Sequence, residues 1–305
     1  MATIGLFGDE YDECVGLLKA RIEDAGRRAR IINLRRFPGV TRATIDSTRV
    51  VCDGYDLLQM DAFYLREVSA RDAFFHVRYT RSLWESLRER YIDFSAREED
   101  AAAFARAIVE IVASQKPMVN EPRVYTCRRH LPYELDLLSR RGVRVAPFSA
   151  AAVEMEAGGS SGKPRAEPGA EAALLDLDEE LAYDVYSFPK GDVAPTRIER
   201  ANVELGSLVL VVVGGRVLDR AVSLDAARRC SIVDLGALPV GLEQTALDAA
   251  GALGAAFAEV EVGRAAGRGE TMVLKVDPAP YFARWEEVGL EVARPLAEYL
   301  IGLAS

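Results

Sequence analysis

Short apolar runs alternate with longer amphipathic stretches over the N-terminal third of this chain. Ala2-Thr-Ile-Gly-Leu-Phe7 reads as a buried first strand, and Gly8-Asp-Glu marks the turn into a helix carrying Cys14, Leu17, Leu18 and Ile22, which ends at Gly26. Arg30-Ile-Ile-Asn-Leu34, Arg49-Val-Val-Cys52 and Ala62-Phe-Tyr-Leu-Arg66 are apolar enough to be strands. Phe104, Ile108, Ile111 and Val112 recur at helical spacing between Glu99 and Ser114. Strand, helix and strand at these intervals predict a parallel α/β sheet spanning residues 1–117. The intervening Phe74 to Tyr91 stretch is rich in aromatic residues and arginine. It reads as a loop and helix packed by its own aromatics, with a partner surface as the alternative.

A second lobe is expected over 118–185 and a third over 186–305. Val119-Asn120-Glu-Pro precedes His130-Leu-Pro-Tyr-Glu-Leu-Asp-Leu-Leu138, a helix that leads through Gly142 into the extended Gly142-Val-Arg-Val-Ala-Pro147. Residues 156–170 form a Gly-, Ser- and Pro-rich loop. Leu181 to Gly191 and Val203 to Val217 suggest strands, the second with a Gly214-Gly215 hairpin turn. A helix from Leu242 to Leu253 is followed by the strand Phe257-Ala-Glu-Val-Glu-Val262, a turn over Ala265 to Gly269, and the strand Val273 to Asp277. Because residues two apart on a strand share a face, Glu261 and the Lys275/Asp277 pair should lie near one another. A last helix buries Val292, Leu296, Tyr299 and Leu300.

Half of the 305 residues are hydrophobic and 28% are charged, which suits well-packed lobes rather than a disordered or fibrous chain. A net charge of -9 argues against a nucleic-acid surface. No long apolar span or signal peptide is evident, so a cytoplasmic location without membrane contact is expected. Cys14, Cys52, Cys127 and Cys230 are widely separated and read as reduced thiols. His76 and His130 form no ligand-spaced cluster, and Gly5-x-x-Gly8 lacks the third glycine of a dinucleotide fingerprint. Gly158 to Lys163 is not a phosphate loop of the Walker type, because Pro164 follows the lysine.

Taken in order, these motifs resemble the ATP-grasp ligases of the glutathione-synthetase and ribosomal-protein glutamate-ligase type. Those proteins carry V-N, then K-P-Y-Q-L-x-L-L, G-V-x-V-P, a D-x-R before a V-V-G-G hairpin, G-x-x-F-A-x-V-D and finally V-L-E-V-N-P-x-P. The likeness covers nearly the whole chain and is strongest after Leu242, ending in Val273-Leu-Lys-Val-Asp-Pro-Ala-Pro280. It implies an ATP-grasp-like α/β fold, with an N-terminal parallel domain followed by a two-lobed ATP-grasp region.

The resemblance also locates departures. Leu131 stands where the family has a phosphate-reaching lysine, Ser207 and Val209 replace the aspartate and arginine, and Lys275 and Asp277 replace the magnesium-binding glutamate and asparagine. Only five lysines are present to contact a nucleotide. If the chain binds ATP, the resemblance assigns the nucleotide to Lys163 or Lys190 and magnesium to Glu261 and Asp277. Arg216, Arg197 or Arg200 would then stand in for the lost arginine. If it does not, Lys275 takes the metal's electrostatic role beside Glu261 and Asp277, no cofactor is held, and the protein binds a peptide or protein such as an active paralogue. Homo-oligomerisation stays open. In a buried cluster, losing the lysine should cost roughly 1 to 3 kcal/mol.

Overall fold

The computed structural model describes residues 2–66, 91–126, 131–146, 148–152, 196–200, 203–225, 229–265 and 271–305. Strand β1 (Thr3–Phe7) leads into helix α1 (Glu13–Asp24), whose first turn is capped by Asp12: its Oδ1 accepts from the amides of Cys14 (2.8 Å) and Val15 (3.4 Å). Strand β2 (Arg28–Ile32) returns parallel to β1. A meander of β3 (Ala43–Ile45), β4 (Val50–Cys52) and β5 (Tyr55–Asp56) precedes β6 (Ala62–Leu65), helix α2 (Tyr91–Ala113) and β7 (Met118–Val119). The parallel sheet has the order β2-β1-β6-β7, so it runs on through Met118 and Val119.

One strand departs from expectation. The Arg49–Cys52 run does not join the parallel sheet but forms the centre of the antiparallel meander. Asp53 and Gly54, both at positive φ, close a two-residue hairpin that returns the chain onto Cys52. Asp-Gly is a strong local hairpin signal, and it prevails over the apolar pattern that suited either sheet.

Helix α3 (Leu131–Arg140) is followed by β8 (Phe148–Ala152), which pairs antiparallel with β9 (Thr196–Arg200). The loop 156–170, the Leu181 to Gly191 run, Lys163 and Lys190 lie outside the described residues. Strands β10 (Val203–Val213), β11 (Arg216–Val217), β12 (Arg220–Leu224) and β13 (Cys230–Asp234) precede helix α4 (Leu242–Leu253). The chain then runs through β14 (Phe257–Ala265), β15 (Thr271–Asp277), helix α5 (Ala283–Glu287) and helix α6 (Ala293–Leu303). The second sheet is antiparallel throughout, in the order β13-β12-β10-β14-β15, with β11 also on β10. Among the described residues no helix is long and apolar enough to cross a membrane.

Period-two alternation decides what each face of this sheet touches. Leu210, Val212, Val260, Val262, Val273 and Val276 pack beneath α3 and α4. Val209, Val211, Val213, Val222 and Phe257 point the other way, into a core shared with β1, α1, Tyr64 and α6. This shared core joins the N-terminal domain to the C-terminal sheet. Leu296 and Leu300 of α6 are fully buried in it, a contribution of about 1.5 to 3 kcal/mol each.

Candidate functional site

The face of the antiparallel sheet that meets the N-terminal domain is apolar at one end and polar at the other. In register across three strands, Val209 stands opposite Glu261 and Glu261 opposite Lys275. The neighbouring row reads Val211, Glu259, Asp277. Val211 and Glu259 are buried, whereas Glu261 is partly exposed and Lys275 exposed, so the polar row begins where the shared core ends. A β-bulge sets this arrangement: the register slips at Leu274, between the pairs Val262–Val273 and Glu261–Lys275. Without the extra residue Leu274 would oppose Glu261, and Lys275 would turn toward the helix-covered face.

The structure therefore brings Ser207, Val209, Glu261, Lys275 and Asp277 onto one face. Ser207 donates its hydroxyl to Glu261 Oε1 at 2.6 Å. Asp277 Oδ1 accepts from the Ala279 amide at 3.0 Å, and its Oδ2 lies 3.8 Å from Lys275 Nζ. The Lys275 side chain is 47% exposed, so the condition of burial on which the larger penalty rested is not met at the lysine. Water screens the pair, and removing the lysine should change stability by only about 0 to 1 kcal/mol.

Glu259 is a member of the site that the sequence reading missed. Its side chain is 8% exposed, with Oε1 accepting from Arg284 Nη2 and Oε2 from Trp285 Nε1, both at 2.7 Å. Burial pushes its carboxyl above the ordinary range, and the Arg284 charge and the Trp285 hydrogen bond oppose that shift. Arg284 also lies over the Trp285 ring, 4.1 Å from its centroid. The signal was available in the sequence, since Glu259 is two residues from Glu261 and so shares its face.

Other candidates are not brought here. Arg216 follows the Gly214-Gly215 turn, opposite Val213. That is four residues along β10 from Val209, or about 13 Å at strand rise. Leu131 opens α3 and packs into the core on the opposite face. Arg197 and Arg200 belong to β9, which pairs with β8 in a separate two-stranded sheet. His76 and His130 lie outside the described residues, as do residues 74–90 of the aromatic stretch.

Magnesium takes oxygen ligands in near-octahedral array. Around this row Glu261 is engaged by Ser207, Asp277 by Ala279 and Lys275, and Glu259 by Arg284 and Trp285. The ammonium of Lys275 supplies charge but no lone pair. Among the described residues no group of three or more His, Cys, Asp or Glu side chains is arranged to hold a metal ion. Among the described residues, Glu261 and Asp277 lie beside one ammonium here.

The two asparagine and arginine side chains that frame the site from the N-terminal domain are buried. Asn120, 1% exposed, makes four hydrogen bonds. Its Nδ2 donates to the carbonyls of Phe257 (2.6 Å) and Pro278 (2.7 Å), and its Oδ1 accepts from the amides of Ala256 (2.8 Å) and Phe257 (2.9 Å). The Val-Asn motif thus ties the end of β7 to the start of β14 and to the segment leaving β15. Arg66, at the end of β6, holds that same segment one and two residues further on.

This is the fold of the ATP-grasp ligases, an N-terminal parallel α/β domain followed by an antiparallel sheet backed by helices. Among individual structures, the ATP-grasp ligase PsnB, complexed with a phosphomimetic variant of its minimal precursor, Mg and ADP, superposes with a TM-score of 0.74. It is 15% identical, with 100% of this chain and 99% of that chain covered. A RiPP-associated ATP-grasp ligase of Chryseobacterium gregarium, in complex with ADP and a leader and core peptide, gives 0.67 at 13% identity, covering 99% and 97%. The macrocyclase MdnC from Microcystis aeruginosa MRC, bound with precursor peptide MdnA, gives 0.65 at 13% identity, covering 99% of each chain. No family model matches the chain, and no curated protein sequence does.

Proposed function

We propose that this chain is a ligase-fold protein of carboxylate–amine ligase ancestry whose nucleotide and metal site has degenerated, and that it acts by binding a peptide. The observation that carries this reading is the row Val209–Glu261–Lys275, in which an ammonium and an isopropyl group flank the one carboxylate. A magnesium ion placed there would meet a like charge and lack a ligand, and Val209 offers nothing to an anion. The peptide part of the reading is supported by the neighbours of the same fold that are complexed with precursor peptides. An active paralogue as partner and a cytoplasmic setting belong to the same proposal.

The competing reading is an active ligase that uses ATP and magnesium to form an amide or peptide bond through an acyl phosphate. It draws on the two carboxylates, Glu261 and Asp277, that still share a face beside Lys275. Calorimetric titration with Mg-ATP separates the two. The proposal expects no heat of binding at millimolar nucleotide, together with enrichment of tight-binding sequences when a random peptide display is selected on the chain. Micromolar Mg-ATP binding with phosphate release on adding carboxylic acids and amines would overturn it.

A further inference from the structure

Doubly wound sheets take their ligands at the carboxyl ends of the strands, where the strand order reverses. In this chain the reversal lies between β1 and β6, since β2 flanks β1 on one side and β6 on the other. Asp12, in the loop after β1, and Arg66, just beyond β6, stand at that crevice. It is already filled by the protein's own backbone. Arg66, whose side chain is 8% exposed, donates from Nε to Asp12 Oδ2 (2.8 Å), and from Nη1 to the carbonyls of Ala279 and Pro280, the latter at 3.0 Å. Around it Asn120 holds the Pro278 carbonyl, the Tyr281 hydroxyl donates to Glu13, and the Ala283 amide donates to Cys14 Sγ at 3.3 Å.

Ala279 is the pivot of this strap. Its carbonyl is gripped by Arg66, while its amide donates to Asp277 Oδ1 and leaves Oδ2 toward Lys275. We infer that Arg66 is a positioning residue for the candidate site: from the N-terminal crevice it holds the Ala279–Pro280 and Pro280–Tyr281 peptides, and so steadies the adjoining Pro278–Ala279 peptide, itself held by Asn120, whose amide meets the Asp277 carboxylate. A guanidinium suits this task, because its rigid fork of donors can meet one carboxylate and two carbonyls at once, whereas an ammonium on a flexible stem holds fewer of them in place. Asp12 ties the same device to the first turn of α1, since its other oxygen caps that helix. The crevice is therefore an internal dock for the segment that leaves β15. The importance of the strap for function rests on the proposal that the polar row is the site; its mechanics do not.

The test uses the full chain with Arg66→Lys, Arg66→Met and Asp12→Asn, following amide hydrogen exchange residue by residue. Arg66→Met should speed exchange at Ala279 at least tenfold while Leu6 and Val211, in the shared core, stay within threefold of the parent. Arg66→Lys should lie between the two. Exchange at Ala279 within twofold of the parent, or an equal rise at Leu6 and Val211, would overturn the inference. If Arg66→Met does not fold, Asp12→Asn decides: it keeps an oxygen for the helix cap but removes the charge facing Arg66, and should quicken Ala279 alone, by about threefold. An unchanged Ala279 there also overturns it. A second measurement compares magnesium binding by Lys275→Glu with and without Arg66→Lys, the latter expected to weaken it at least threefold. If Lys275→Glu alone binds no magnesium, the functional reading fails and the exchange result still decides the role of Arg66.

Discussion

Replacing Asn120 by alanine should be among the most damaging single changes in this protein. The side chain is 1% exposed and all four of its hydrogen-bonding partners are backbone groups: two amides, of Ala256 and Phe257, and two carbonyls, of Phe257 and Pro278. Alanine removes the bonds and leaves these groups facing a small void, with Phe257 fully buried. A buried donor or acceptor stripped of its partner costs about 1 to 3 kcal/mol. Water entering the void can satisfy some of the four, so the total should be about 3 to 5 kcal/mol, a large share of a typical domain's stability. Urea unfolding followed by tryptophan fluorescence reads this directly, because Trp285 belongs to the same shared core. A loss below about 1 kcal/mol with an unchanged denaturant slope would refute the reasoning, since it would mean that the clasp between β7, β14 and the strap is not under load.

Three further outcomes follow from single sites. Glu259 has a carboxyl raised above its ordinary value by burial, so its stabilising contribution is full below the unfolded value of about 4.3 and is lost as pH rises through the folded one; the stability of the parent relative to Glu259→Gln should fall as pH rises above about 4.3, and a difference independent of pH would count against the buried carboxyl. Gly214 turns at φ +58° with its α-carbon against the Tyr299 ring, where an added methyl would come within 2.5 Å of ring carbons, so Gly214→Ala should cost about 1 to 3 kcal/mol in thermal or chemical unfolding. Burial pushes the Cys14 thiol up to about 11 and the Cys52 thiol up to about 12; at pH 8 iodoacetamide should label the exposed Cys230 and spare both in the folded protein, as peptide mass mapping would show.

The β14–β15 hairpin was legible in the sequence because strand alternation is local: Lys275 and Asp277 share a face of their strand, and that pair was expected near Glu261. The bulge at Leu274, which turns Lys275 to that face, was not, because a one-residue slip leaves no mark in composition. Nor was the exposure of Lys275, which depends on where the N-terminal domain stops covering the sheet. Asn120 stood out as part of a motif, but its four partners come from segments more than 130 residues away. Arg66 gave no signal at all, since its role exists only once β6 and the strap meet. The Asp53-Gly54 turn was readable and outranked the apolar run beside it. Glu259 was readable too, as the residue two before Glu261.

The central claim, that Lys275 takes the place of a metal ligand in this fold, is tested most directly by titrating the parent and Lys275→Glu with magnesium and ATP in a calorimeter. The account predicts no binding by the parent, and magnesium affinity in Lys275→Glu, where three carboxylates, from Glu261, Asp277 and the new side chain, would share one face. Micromolar binding of Mg-ATP by the parent, with Lys275→Glu no tighter, would contradict it.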